Sequence, residues 1–127
     1  MRCGYVSGWL AWHRALAWAL IAGNAVAGLW CLAAHRYRSL RGRPLVVAIV
    51  LAQLTALAQA VVGTVLMARY DLEPARLHAL YGFSAVFAVG ILYSYRTSTF
   101  MRGKEYLLYA GGCLFIMGLG LRELALN

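Results

Sequence analysis

Acidic side chains are scarce in this chain: 4 Asp and Glu in 127 residues, against 12 Lys and Arg, for a net charge of +8. Proline occurs twice and cysteine three times. Charged residues make up only 13% of the sequence and hydrophobic ones 63%, where a soluble domain has about 25% and about 45–50%. A water-soluble globule of this composition could not cover itself with polar surface, and the apolar content excludes disorder. The length excludes a two-domain soluble enzyme. Asp71, Glu73, Glu105 and Glu123 all fall in connections or near ends. A proton relay or carboxylate-based cation carrier needs an ionisable group at depth, so neither is expected. Cys3, Cys31 and Cys113 form no CxxC and no metal spacing, which excludes a disulfide framework. No Ser-His-Asp set, nucleotide loop or HExxH is present, and the sequence holds no catalytic constellation.

What is present is apolar runs, and they predict an all-α polytopic membrane protein, one antiparallel four-helix transmembrane bundle over residues 1–127. The spans are expected at about 9–34, 45–68, 75–95 and 106–124. A spanning helix needs about 20 residues, and in lipid the backbone must satisfy its own hydrogen bonds. Strand alternation is absent. The first run is too long for the apolar part of a signal peptide. Short connections imply an up-down-up-down order. Pro44 suits the first turn of the second helix. Pro74 suits that of the third, with Asp71 or Glu73 as the cap before it.

The basic residues cluster between the runs, the pattern of side chains at the headgroup level, and nucleic-acid binding is not expected. Connections 35–44 and 96–105 hold Arg36, Arg38, Arg41, Arg43, Arg96, Arg102 and Lys104. The other side holds Arg2, Arg14, Arg69, Arg76 and Arg122. The larger basic count places loops 35–44 and 96–105 in the cytoplasm and both termini outside, in a bacterial-type plasma membrane. Trp9, Trp12 and Tyr5, and at the other face Tyr37, Tyr93 and Tyr95, read as interfacial belts.

His13 opens the uninterrupted apolar run of helix one. His78 lies four residues beyond Pro74, about 6 Å into helix three at about 1.5 Å per residue. Both helices run outside to inside, so the two imidazoles share a side and a depth. Facing inward from diagonal helices, they would clamp one heme iron from both faces. Gly82, Ala85 and Val89 continue the face below His78, and Ala17, Asn24 and Gly28 the face below His13. These small side chains leave room for a macrocycle or let helices pack closely. Arg14, Arg69 and Arg76 at the same interface are candidates to hold the propionates. His35 lies about 33 Å further along helix one and belongs to the opposite surface.

Gln53, Thr55 and Gln59 within helix two either bond a heme ligand or a quinone or join helices, and joining is the commoner use in lipid. Gly63, Gly82, Gly111 and Gly118 are expected at helix or cofactor contacts. Cys31 and Cys113 read as small packing residues.

Helix one carries Trp12-His13-Arg14-Ala15-Leu16. Helices two and three carry Gln59-Ala60-Val61-Val62-Gly63-Thr64-Val65 and then Leu77-His78-Ala79-Leu80. This pattern, from about Trp12 to Val89, resembles one four-helix half of a heme A synthase. In that family a His-Arg pair opens one helix, a Gln-x-x-x-Gly stretch precedes a Leu-His pair two helices later, and the paired histidines ligate heme. The resemblance implies His13 and His78 as heme ligands. Where the family's catalytic half has a glutamate one turn before its first histidine, this chain has Leu10, and the loop cysteine pair of many members is missing. The resemblance thus implies heme b binding, as in the non-catalytic half.

Two functions are expected from these observations. The first is a membrane b-type heme protein in electron transfer or in heme or oxidase assembly. The second is a heme-free accessory subunit that packs against a larger respiratory or transport complex. The lipid bilayer is the certain partner of either; a larger complex or a homodimer is the further one.

Overall fold

The computed structural model describes residues 2–71, 73, 76–95, 98 and 103–126. Four helices account for nearly all of them: α1 (Arg2–Arg36), α2 (Arg43–Tyr70), α3 (Arg76–Tyr95) and α4 (Glu105–Leu126). All four are long and apolar enough to cross a membrane. They run alternately up and down, so the starts of α1 and α3 meet the ends of α2 and α4 at one end of the bundle. α1 packs along both α2 and α4, and α3 packs on α4. α1 and α3 are diagonal, and the seam between α2 and α3 is the thinnest.

The inward stripe has a seven-residue period on three helices. On α1 it reads His13, Ala17, Leu20, Asn24, Ala27, Cys31, Ala34. On α2 it reads Leu45, Ile49, Ala52, Ala56, Gln59, Gly63, Leu66, and on α3 His78, Gly82, Ala85, Val89, Leu92. Alternating steps of four and three keep one seam facing its neighbours when helices coil left-handed about each other. Two clusters fill this interior. One surrounds Ala27, Cys31, Leu45, Ile49 and Cys113 near the first connection, with Trp30, Tyr106 and Tyr109 packed against it. The other, at mid-height, joins Leu20, Ile21, Ala56, Ala85, Val89 and Ile116. Many of the other large side chains, among them Trp12, Trp18 and Phe87, are exposed to the surroundings, as lipid-facing side chains are.

The first connection is fastened by Arg41. Its Nε donates to the Ala34 carbonyl at 2.8 Å and an Nη to the His35 carbonyl at 3.1 Å, while the guanidinium lies 4.7 Å from the Tyr106 ring centroid. A cation therefore satisfies the carbonyls left open at the end of α1, where the helix dipole favours it. Trp30 Nε1 donates to the Leu40 carbonyl at 3.0 Å across the same 3₁₀ turn, Arg38–Leu40. Gly42 precedes α2 with φ 152°, a conformation that side-chain-bearing residues rarely adopt, and Pro44 occupies the first turn of α2. Asp71 ends α2 in the left-handed region at φ 52°, its N–H bonded to the Leu66 carbonyl. It closes α2 rather than capping α3 as expected. Pro74 lies outside the described residues.

The glycine expectation is corrected on α4. A Cβ on Gly28 would come within 2.8 Å of Leu114, one on Gly112 within 2.9 Å of Leu92, and one on Gly120 within 2.9 Å of Leu20 and Ile21. Nothing lies within 4 Å of such an atom on Gly111 or Gly118. Helical phase explains this: residues 111, 115, 118 and 122 share the outward face with exposed Phe115 and Arg122, whereas 112, 116 and 120 share the inward face with buried Ile116. Replacing Gly112 or Gly120 by Leu should therefore destabilise the bundle by about 1–3 kcal/mol through overpacking. Gly118→Leu should leave thermal unfolding in detergent unchanged. Equal effects at all three positions would contradict this packing.

Candidate functional site

At the end where α1 begins, the inward stripe supplies few large apolar side chains. On α1 the last inward positions are Ala17 and His13, on α2 Gln59, Gly63 and Leu66, on α3 Gly82 and His78, and on α4 Gly120 and Glu123, so that Leu66 is the one large apolar side chain among them. Instead of a third apolar layer, a cavity of about 460 Å³ opens between all four helices. Its walls include Leu10, Ala17, Ala60, Met67 and Phe83 as well as these polar groups, and Arg14 and Glu73 also line it.

His13 and His78 meet across this cavity. Their ring centroids are 5.8 Å apart and their planes are inclined by 54°. Nδ1 of each ring is buried and has no hydrogen-bond partner among the described residues. His13 Nε2 stands 3.4 Å from the Gln59 amide nitrogen, and its Cε1 faces Gly63, where a Cβ would lie 3.5 Å away. Gln59 is itself buried, and its Oε1 is unpartnered among the described residues. Among the described residues no group of three or more His, Cys, Asp or Glu is arranged to hold a metal ion. The two histidines are the pair of imidazoles that face each other in this cavity.

Glu123 corrects the expectation that no carboxylate reaches the interior. It lies inside α4, half-buried, and lines the cavity. Its Oε1 is 3.3 Å from where a Cβ on Gly82 would stand, one turn beyond His78. The signal was present: Glu123 continues the inward series Gly112, Ile116, Gly120 in steps of four, four and three. The arginines divide. Arg14 lines the cavity, whereas Arg69 is exposed and not among the lining residues. The side chain of Arg76 lies outside the described residues. His35 sits in the last turn of α1, at the far end from the other two histidines.

A second polar group lies near mid-height. Asn24 is fully buried, and its Nδ2 donates to the Leu20 carbonyl at 2.8 Å and to the Ala52 carbonyl at 3.3 Å. Gln53 Nε2 donates to Asn24 Oδ1 at 3.5 Å and to Cys113 Sγ at 3.3 Å. These bonds join α1, α2 and α4 below the cavity. Thr55 bonds its own helix at the Ala52 carbonyl. Gln53 is therefore a helix-joining residue, while Gln59, six residues on, serves the cavity.

Compared with protein-family models, with curated proteins and with solved structures, the chain has no match among any of the three.

Asn24→Leu and Gln53→Leu should each lower stability, and together by less than the sum, with a coupling near the roughly 0.6 kcal/mol average for hydrogen bonds between membrane helices. A double-mutant cycle on unfolding in detergent reads this coupling. Strict additivity would mean that the two amides do not act together.

Proposed function

We propose that this protein is a membrane heme protein of the b type, with His13 and His78 as the axial ligands, acting in electron transfer or in heme or oxidase assembly. The observation that carries the reading is the 5.8 Å separation of the two rings. Metal–imidazole bonds of about 2 Å on opposite sides of one ion bring facing ring centroids to roughly 6 Å apart. The cavity of about 460 Å³ lies within the roughly 300–1,000 Å³ common for bound small molecules. The resemblance to one half of a heme A synthase points the same way.

Bound there, the heme would supply a one-electron couple. His13 and His78 would hold the iron, and Gly63 and Gly82, which carry no side chain, would leave room at the walls. Arg14 offers a guanidinium to a propionate, with Arg69 and Arg76 further candidates from the sequence.

A second reading, a heme-free accessory subunit, draws on a different feature. A shallow groove on the outer side of α3 and α4, lined by Ser84, Phe87, Ile91, Leu107, Gly111 and Phe115, would accept a helix of a larger complex or of a second copy.

Purified protein supplied with heme should show a low-spin b-type spectrum whose Soret band shifts on reduction. His13→Ala and His78→Ala should each abolish or convert it, and His35→Ala should not. Folded protein that stays colourless with ample heme would overturn the heme reading and put the accessory subunit first.

The orientation follows from the basic loops, with residues 35–44 and 96–105 cytoplasmic and both termini outside. In a Cys3→Ser background, an impermeant thiol reagent added to intact cells should label Glu73→Cys and not Leu40→Cys. The reverse result would invert the topology.

A further inference from the structure

We infer that the cavity opens sideways into the bilayer through the seam between α2 and α3, and that its ligand enters there from the lipid phase. The ligand class is a flat, mostly apolar molecule dissolved among the acyl chains. That the molecule is heme rests on the preceding reading; the opening does not.

Helical phase locates the opening. Ala60, Thr64 and Met67 of α2 line the cavity, and each follows by one residue an inward position, Gln59, Gly63 or Leu66. On α3, Ala79 and Phe83 line it and follow His78 and Gly82 in the same way. One residue is a turn of about 100°, so these side chains stand on one flank of each helix. On α1 the corresponding flank holds Ile21 and Gly28, which follow the inward Leu20 and Ala27, and it meets α4 at Gly120 and Leu114. Going round an antiparallel bundle, flanks of this sense that meet between α1 and α4 meet again between α2 and α3.

Thr64, Met67 and Phe83 are also exposed, Met67 by 40% and Phe83 by 48%. A side chain that borders a cavity and is exposed as well stands at its rim. The other three seams are closed at this end. His13 stands 3.4 Å from Gln59 between α1 and α2, Gly120 lies against Leu20 and Ile21 between α4 and α1, and Glu123 reaches Gly82 between α4 and α3. The α2–α3 seam is the thinnest of the bundle.

The opening faces hydrocarbon. Thr64 lies six residues before the end of α2 at Tyr70, and Phe83 six residues after Leu77, where the apolar span of α3 begins. Each is about 9 Å in from its end at about 1.5 Å per residue. The α3 span has 19 residues, which matches a hydrocarbon thickness of about 30 Å, so this depth is among acyl chains. The rim is apolar to suit. Ala60, Met67, Ala79 and Phe83 carry no charge and no hydrogen-bond donor, and Thr64 Oγ1 donates to the Ala60 carbonyl of its own helix at 2.8 Å. An apolar molecule passing this rim never leaves hydrocarbon, whereas an approach from water past Arg14 and Glu73 would expose it to the aqueous phase.

Two measurements test this, one without heme and one with it. In heme-free protein in vesicles, a membrane-dissolved aryl diazirine should on photolysis label the inward residues His13, Gln59 and His78, and leave inward Ile49 of the filled end unlabelled. Thr64→Trp, which narrows the rim, should cut the inward labelling severalfold, and Phe83→Ala, which widens it, should raise it. Leu10→Trp, one turn from His13 towards the start of α1, should leave it unchanged. Unfolding in detergent checks that each variant folds, and Phe83→Ala keeps the test open if the tryptophan is not tolerated. Unlabelled inward residues in the parent, or labelling cut by Leu10→Trp and not by Thr64→Trp, would overturn the inference. In the second measurement hemin is dissolved in the vesicles beforehand, and the Soret band should grow severalfold more slowly in Thr64→Trp, to the same final height. Slowing by Leu10→Trp alone would overturn entry from the bilayer. Protein that is labelled as expected yet colourless in every variant would overturn the heme reading and uphold the opening.

Discussion

Lipid tails are as apolar as the side chains that face them, so helices in a bilayer gain little from hiding leucines from their solvent. Association has to come from close approach and from hydrogen bonds. In this protein the close approach is concentrated on α4, whose Gly112 meets Leu92 of α3 and whose Gly120 meets Leu20 and Ile21 of α1, while Gly28 of α1 admits Leu114. The hydrogen bonds are concentrated at Asn24 and Gln53. Both devices tie α1, α2, α3 and α4 together without drawing α2 and α3 against each other. The thin seam is a consequence of where the small residues are.

That arrangement also explains why one end of the bundle is filled and the other is hollow. The seven-residue inward period continues unbroken from Ala34 to His13 and from Leu45 to Leu66. What changes is the residue type. Near the first connection the inward positions are Leu45, Ile49 and Cys31, and Arg41 seals the end by bonding to α1 carbonyls. At the opposite end they are histidine, glutamine, glutamate, glycine and alanine, with Leu66 the one leucine. Replacing leucine-sized volume by glycine and alanine at an inward layer leaves space that side chains cannot refill, because interiors relax only partly around missing volume.

The spans and their antiparallel order were legible in the sequence because hydropathy in lipid acts on whole runs and tolerates errors of a few residues at each end. The meeting of His13 and His78 was legible because depth along a straight helix is simple to count from one landmark. Glu123 was not, and the reason is physical. With Arg122 beside it and only a 16-residue apolar run before it, Glu123 reads as the polar end of a short span. Its side is decided by helical phase and not by distance from the terminus. The same mistake of phase put Gly111 and Gly118 at contacts when their neighbours Gly112 and Gly120 make them. One residue is a turn of about 100°, enough to exchange the lipid face for the interior. Gln53 and Gln59 looked equivalent for a similar reason. Both point inward, but one lies at the layer where Asn24 and Cys113 offer partners and the other at the layer where His13 does.

The presence of a carboxylate, two imidazoles and a buried amide in a single layer has a cost that a purely structural helix pair would not carry. Ionisable groups within spanning segments are expensive and persist where they serve a function. Asn24 and Gln53 show what the structural use of polar residues looks like here: bonds to backbone, to each other and to Cys113, away from the cavity. The layer above them lines the cavity instead. A bundle selected only for cohesion would close that layer with leucine. The hollow end differs from the filled one in residue type and not in helical geometry, and on the proposed heme reading that difference is what a ligand would require.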